Sequence, residues 1–209
     1  MNFSKEDSDT LLKIIYHRRD TRGNRFLHDP VPSHVLDQLL FAFEHAPSVG
    51  YSQPWRLVVI EKKETKEKIK QHFVVENDIA AQQFVGEKAT QYRQLKLEGI
   101  TEAPINIAVF YEPLQRPVLG QSTMPEAGPY SVVCGIQNMW LMARALNIGM
   151  GWVSILQEES VKEILKVPSH WKLVAYLCVG YVTDFLEKPE LELIGWDTRK
   201  NRNQFISFQ

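Results

Sequence analysis

Ala46-Pro47-Ser48-Val49-Gly50-Tyr51-Ser52-Gln53-Pro54-Trp55 is the junction from which the rest of the chain can be read. Two prolines stiffen its ends, and Gly50 permits close backbone approach to a flat ligand. Ser48, Ser52 and Gln53 offer donors and acceptors suited to the edge of a heterocycle. An ordinary rigid turn would use the same residue types, so composition leaves both readings open. Before the junction, Ser33 is placed to cap a helix whose face is Val35, Leu36, Leu39, Leu40 and Phe43, with Pro47 ending it. After it, Trp55 to Ile60 reads as a buried strand.

Working outward, residues 6–18 carry the helical stripe Leu11, Leu12, Ile14 and Ile15 and end in His17-Arg18-Arg19. Downstream, the pattern predicts helices over 64–74 and 78–98, the second closed by Gly99 as a C-terminal cap. A strand follows over 104–111, then an irregular stretch over 112–129. Loops of that length are uncommon and often serve as lids or binding loops. A long helix over 130–146 is apolar over a wide surface, as helices buried in a core or a subunit interface are. A strand over 149–156, a short helix over 158–166 and a strand over 172–182 complete the pattern. The expectation is one domain over residues 1–209 with an extended tail from about 183.

Bulk composition excludes several classes. The chain has 24 Lys+Arg against 25 Asp+Glu and a net charge of -1, so no nucleic-acid or anionic-membrane partner is expected. Cys134 and Cys178 both sit in apolar runs and read as buried, reduced thiols. Met1 to Thr10 is polar and charged rather than a secretory leader, and no apolar run is long enough to span a membrane; a cytoplasmic protein is expected. The histidines at 17, 28, 34, 45, 72 and 170 show no paired metal-ligand spacing, and no metal site is expected.

Two further stretches can carry chemistry. Arg18-Arg19-Asp20-Thr21-Arg22 places three guanidinium forks within five residues, a good phosphate site and equally a solvated helix end. Asp20 is the odd member; among three cations its carboxylate is expected to stay ionised. Gly149-Met150-Gly151-Trp152-Val153-Ser154-Ile155 is a glycine-rich strand entry. It lacks the strand-glycine-helix order of a dinucleotide fingerprint, and Ser154 has no nucleophile-elbow context.

In this order, the three stretches resemble the nitroreductase family of FMN proteins. Within that family the chain is most similar to the branch that makes 5,6-dimethylbenzimidazole, the lower ligand of cobalamin. The likeness runs over about residues 11–200. It is carried further by Leu95-Lys96-Leu97-Glu98-Gly99-Ile100, Tyr130-Ser131-Val132, Gly151-Trp152-Val153-Ser154 and Pro189-Glu190-Leu191-Glu192. Asp20, where ordinary nitroreductases tend to have Ser, and the Gly-Trp-Val-Ser stretch are its most specific parts. The resemblance implies an α+β fold with a mainly antiparallel central sheet flanked by helices, in an intertwined homodimer. It implies that FMNH2 is the substrate, supplied by a separate flavin reductase. Oxygen adds to the reduced ring, and C1′ of the ribityl chain becomes C2 of the product.

By the same resemblance Asp20 directs proton movements, and Ser154 hydrogen-bonds near the N5/C4a edge where oxygen adds. Arg18, Arg19 and Arg22 hold phosphate or the N1-C2 edge, with Ser48 and Gly50 along the ring and Arg199 in the tail as a further phosphate ligand. An enclosed ring face needs cover, for which 76–100 and 112–129 are candidate lids. The competing readings are an NAD(P)H-dependent nitro- or quinone reductase, a flavin-storage protein without turnover, and a corrinoid reductase. Asp20 argues against the first, since a carboxylate beside a reduced flavin disfavours negative charge there.

Overall fold

Four antiparallel strands form the centre of the computed structural model, which describes residues 1–209. They are β1 (Trp55–Ile60), β2 (Ile105–Tyr111), β3 (Gly149–Val153) and β4 (Lys172–Gly180), in the spatial order β1-β2-β4-β3. The two central strands, β2 and β4, are buried on both faces, which explains why they are apolar almost throughout, with buried Asn106 the polar residue within β2. One face packs Ile105, Ile107, Val109, Ala175, Leu177 and Val179 against two helices, α2 (Ser33–Glu44) and α5 (Ala127–Ala145). The other packs Ala108, Phe110, Tyr176 and Cys178 against α3 (Lys63–Ala81) and α6 (Glu158–Leu165). This is the expected α+β arrangement of a mainly antiparallel sheet flanked by helices. No helix is long and apolar enough to cross a membrane.

Several local expectations are corrected. Trp55–Ile60 is an edge strand bonded only to β2, and just Ile60 is buried. Ser33 is the first helical residue rather than the cap: Pro32 holds that position and makes no side-chain capping bond. The helical stretch over 64–98 breaks over 82–85, so α3 is longer than its apolar pattern suggested and α4 covers only Gly86–Gln94. Gly99 therefore caps nothing. A β-carbon there would meet the Phe26 ring at 2.6 Å, so close packing is its function. Pro129 sits within α5 rather than before it, which the first turn of a helix tolerates.

Cys134 is exposed on the outer face of α5, while Cys178 is buried as expected. The tail is docked rather than loose. A bridge from Phe26 to Val182 and an ion pair from Arg25 to Asp184 start it across the molecule. It then forms the short helix α7 (Glu190–Leu193). At the other end of the chain, α1 (Lys5–His17) lies against α5. His17 at its C-terminus gives its carbonyl to Arg144 Nε at 3.0 Å.

Candidate functional site

A strand edge must find partners for its outward N–H and C=O groups. β3 finds them in the arginine-rich stretch. Asp20 bridges to Met150 in parallel, and Thr21 N–H donates to Met150 C=O at 3.0 Å. The N–H of Trp152 then donates to Asp20 Oδ1 at 2.9 Å. The glycines of Gly149-Met150-Gly151 make this approach possible: a β-carbon on Gly151 would lie 2.1 Å from Thr21 O, and one on Gly149 3.0 Å from Thr21 Oγ1. The glycine-rich entry is thus a seat for Asp20 and Thr21.

Asp20 faces a cleft lined by Arg18, Arg19, Asp20, Arg22, Leu95, Leu97, Pro189, Glu190 and Leu191. Its carboxylate is paired with Arg22 and keeps 30% of its side-chain surface exposed. Burial raises its pKa above the ordinary value and Glu190 adds to that, outweighing Arg22, the Trp152 N–H and Arg18, which act in the opposite direction. Asp20 can hold and release a proton closer to neutrality than a free carboxyl group.

The three arginines have different employments. Arg18 stacks on the Trp140 ring, 4.8 Å from its centroid, and forms no ion pair. Burial lowers its pKa against the pull of Asp20, and Arg19 and Arg199 push it the same way. A guanidinium so placed stays charged and is stabilised by any anion that enters. Arg22 pairs with Asp20 and donates to Leu97 C=O at 3.0 Å. Arg19 is buried and donates to the carbonyls of Tyr16 at 2.8 Å and Arg18 at 2.7 Å, and also to that of Glu187. Its donors bind the tail to the end of α1, and it also lines the cleft.

The other expected residues lie further off. Arg199 is exposed, yet close enough to be felt by Arg18. Ser154 is exposed just past β3, two residues or roughly 7 Å of extended chain beyond Trp152. It does not line the cleft. Ser48 accepts from Gln53 N–H at 3.1 Å, and Gly50, at φ 54°, lies against the backbone of Leu119, where a β-carbon would meet carbonyl oxygen at 2.7 Å. Within one chain, the close approach that Gly50 allows is to the 112–126 loop, so that loop covers the turn and not the arginine cleft. The turn is tied to α5 by Val49 N–H donating to Ser131 Oγ at 3.0 Å. Ser131 precedes Trp140 by nine residues, so the turn and Arg18 sit about 13 Å apart along one helix.

Sequence reasoning missed Trp140, the Trp152 N–H and the walls formed by Leu97 and Pro189 to Leu191. Leucines and a backbone amide carry no chemical signature, and only topology assigns them to a site. No group of three or more His, Cys, Asp or Glu gathers as a metal site.

A strand edge seating a carboxylate among arginines, in a helix-flanked antiparallel sheet, matches a known class. The Nitroreductase family model matches residues 15–181, and the chain belongs to that family. It is 41% identical over 200 residues to the 5,6-dimethylbenzimidazole synthase of Rhodospirillum rubrum, covering 95% of this chain and 94% of that protein. The fold is similar to that of an iodotyrosine deiodinase bound to FMN and 3-iodo-L-tyrosine, with a TM-score of 0.75 and 21% identity over 95% of this chain and all of that one. It is also similar to a BluB-like flavoprotein from Clostridium difficile 630, with a TM-score of 0.71 and 20% identity over 95% and 98% of the two chains.

Proposed function

We propose that this chain is an enzyme that converts FMNH2 and O2 into 5,6-dimethylbenzimidazole, in a site shared between two copies of itself. The observation that carries the reading is Asp20, a half-buried carboxylate seated against β3 with its proton affinity raised and cations on either side. A proton carrier beside an anion-binding cleft suits a reaction that breaks several bonds of a bound flavin. An electrostatic phosphate anchor alone would need no carboxylate.

The residues present fit a flavin. Arg18, with no carboxylate of its own, and Arg199 near it are suited to the phosphate or the N1-C2 edge. Leu95, Leu97 and Leu191 supply apolar wall, and Ser154 extends the edge that Asp20 begins. When bound, the reduced flavin supplies the electrons that activate oxygen and the atoms of the product. Asp20 then holds and returns protons at its carboxylate oxygens, while the walls exclude water. A separate reductase would deliver the flavin already reduced.

Three features favour a two-chain site. The cleft of one chain encloses about 140 Å³, below the ~300–1,000 Å³ of small-molecule sites. The Ser48-Gly50 turn meanwhile stands apart from it along α5. The outer face of α5 carries Tyr130, Val133, Cys134 and Gln137, all exposed and none charged. Leu11, Leu12 and Ile15 on α1 and Phe41 on α2 are exposed as well, on the two helices that touch α5. Unpartnered apolar surface of this extent marks an interface. Two such helices paired antiparallel about a two-fold axis bring the turn of one chain toward the arginines of the other. The two-fold thereby forms two equivalent composite sites, each with the arginines of one chain and the turn of the other.

Adding FMNH2 and air to the purified protein and separating the products tests the reading. 5,6-Dimethylbenzimidazole is the expected product. Recovery of intact FMN, or steady multiple turnovers with NADPH and a nitroaromatic, would sink it. Binding has its own signature: Arg18→Ala is expected to weaken FMN affinity by about 1.5–3 kcal/mol, the value of a charge-assisted contact. Titration of flavin absorbance measures this, and an unchanged Kd would remove Arg18 from the site.

A further inference from the structure

Residues 95–103 form neither helix nor strand, yet Glu98, Gly99 and Ile100 are fully buried. Charge holds them in place. The Glu98 side chain is 1% exposed. Its Oε1 takes Lys70 of α3 and, at 2.8 Å, Lys96. Its Oε2 accepts the N–H of Ile100 at 2.8 Å. Lys96 reaches on to Glu102 at 2.6 Å. The carbonyl of Ile100 accepts from the Asn106 side chain of β2 at 2.8 Å, so the turn is pinned at both ends.

The opposite side of this segment carries the arginine-rich stretch. Glu98 C=O accepts the N–H of Gly23 at 2.8 Å, and Leu97 C=O accepts from Arg22 Nη1 at 3.0 Å. The stretch lies directly on the ion network: a β-carbon on Gly23 would meet Lys96 Cε at 2.7 Å and Glu102 Cδ at 2.9 Å. The other terminal nitrogen of Arg22 pairs with Asp20. A continuous chain of contacts therefore runs from Lys70 and Glu98, through the Leu97 carbonyl and Arg22, to Asp20.

We infer that Glu98 is a positioning residue for Asp20: it fixes the carbonyl that holds Arg22 against the Asp20 carboxylate, and so sets how readily Asp20 binds a proton. The groups facing Asp20 are Arg18 and Arg22 of its own stretch, the Trp152 N–H of β3 and Glu190 of α7. Of these, Arg22 is the one held by the 95–103 segment. The groups facing Glu98 are Lys70, Lys96 and the Ile100 N–H, with the Cys178 thiol of β4 and Glu102 nearby. Removing the anion frees two lysines and loosens the carbonyl. Arg22 then withdraws, and Asp20 holds its proton to higher pH. The importance of this for catalysis rests on the function proposed above; the effect on Asp20 does not.

Carbon-13 NMR of flavin-free protein labelled at the aspartate carboxyls reads the titration of Asp20, its resonance assigned by its loss in Asp20→Asn. In Glu98→Gln the midpoint is expected to rise by about one pH unit, the scale of losing an adjacent opposite charge. Taking one member from a buried ion cluster is strongly destabilising. If Glu98→Gln does not fold, Lys70→Gln decides, with a smaller rise expected. Lys162→Met controls for general loosening: it breaks a cluster with Glu158 and Glu159 on α6 and is expected to leave Asp20 alone. A folded Glu98→Gln or Lys70→Gln protein in which Asp20 titrates at the wild-type pH overturns the inference, as does an equal shift in Lys162→Met. Wild-type protein that merely returns FMN, with Asp20 still following Glu98, would sink the proposed function and leave the positioning role standing.

Discussion

Asp20→Asn is expected to leave a folded, flavin-binding protein that makes almost no 5,6-dimethylbenzimidazole. The amide keeps the size of the carboxylate, and its oxygen can still accept the Trp152 N–H, so the seat on β3 survives. What it cannot do is take up and return a proton. Positioned acid-base groups contribute about 10²- to 10⁴-fold, and a yield lowered on that scale under single-turnover conditions is the expected result. Stability should move the other way. The folded pKa of Asp20 lies above its ordinary value of 3.8 because burial penalises the charged form. The folded state thus binds the proton more tightly than the unfolded chain. That contribution is fully present below the unfolded pKa and is lost as pH rises through the folded one.

Asparagine is neutral throughout and escapes this loss. The variant should therefore melt at or above the wild-type temperature near neutral pH, with the difference growing from about pH 4 upward. Loss of the Arg22 partner reduces the gain, though Arg22 keeps its bond to Leu97 C=O. Calorimetry across that range together with product yield checks both halves. Full yield from the variant would end the proton-carrying role of Asp20.

The sheet was largely legible in the sequence because its central strands are buried on both faces, and unbroken apolar runs such as Leu173 to Val179 have few other homes. The α3–α4 region was misread because the helix continues through Val75, Glu76 and Asn77 without a sustained apolar face. Periodicity then has nothing to report. At the site, residue chemistry pointed to Arg18, Asp20 and Arg22, since three guanidinium groups around one carboxylate make an anion site as readily as a solvated helix end. It could not show that Arg19, of the same type, gives its terminal donors to the carbonyls of Tyr16, Arg18 and Glu187. Sequence shows which groups are available, and only the path of the backbone shows which are already engaged. Gly151 makes the same point: its flanking pattern is a weak motif, and its necessity comes from Thr21, far away in the chain.

Val133→Glu is expected to yield a monomer that binds FMN about 100-fold or more weakly than the wild type. Val133 lies on the uncharged outer face of α5, 39% exposed in the single chain. At an antiparallel two-fold contact each residue of that face meets its counterpart's neighbourhood, so one substitution buries two like charges together. The energetic cost of desolvating a pair of unpaired carboxylates exceeds what apolar contact on that face returns. The fold itself should be untouched, because the side chain points away from the core formed by Val132, Ile136 and Met139.

Flavin binding then separates two arrangements. If the arginine cleft of one chain were a complete site, a folded monomer would bind FMN as the wild type does. If the site is composite, the monomer retains Arg18 and Arg22 but loses the Ser48-Gly50 turn of its partner, and with it the ring contacts. An affinity lower by about 100-fold or more follows from losing several contacts at roughly 1 kcal/mol each. Sedimentation and flavin titration of one preparation give both quantities. A monomeric Val133→Glu protein with wild-type FMN affinity would place the whole site within one chain, and so would a wild-type protein that sediments as a monomer while binding flavin.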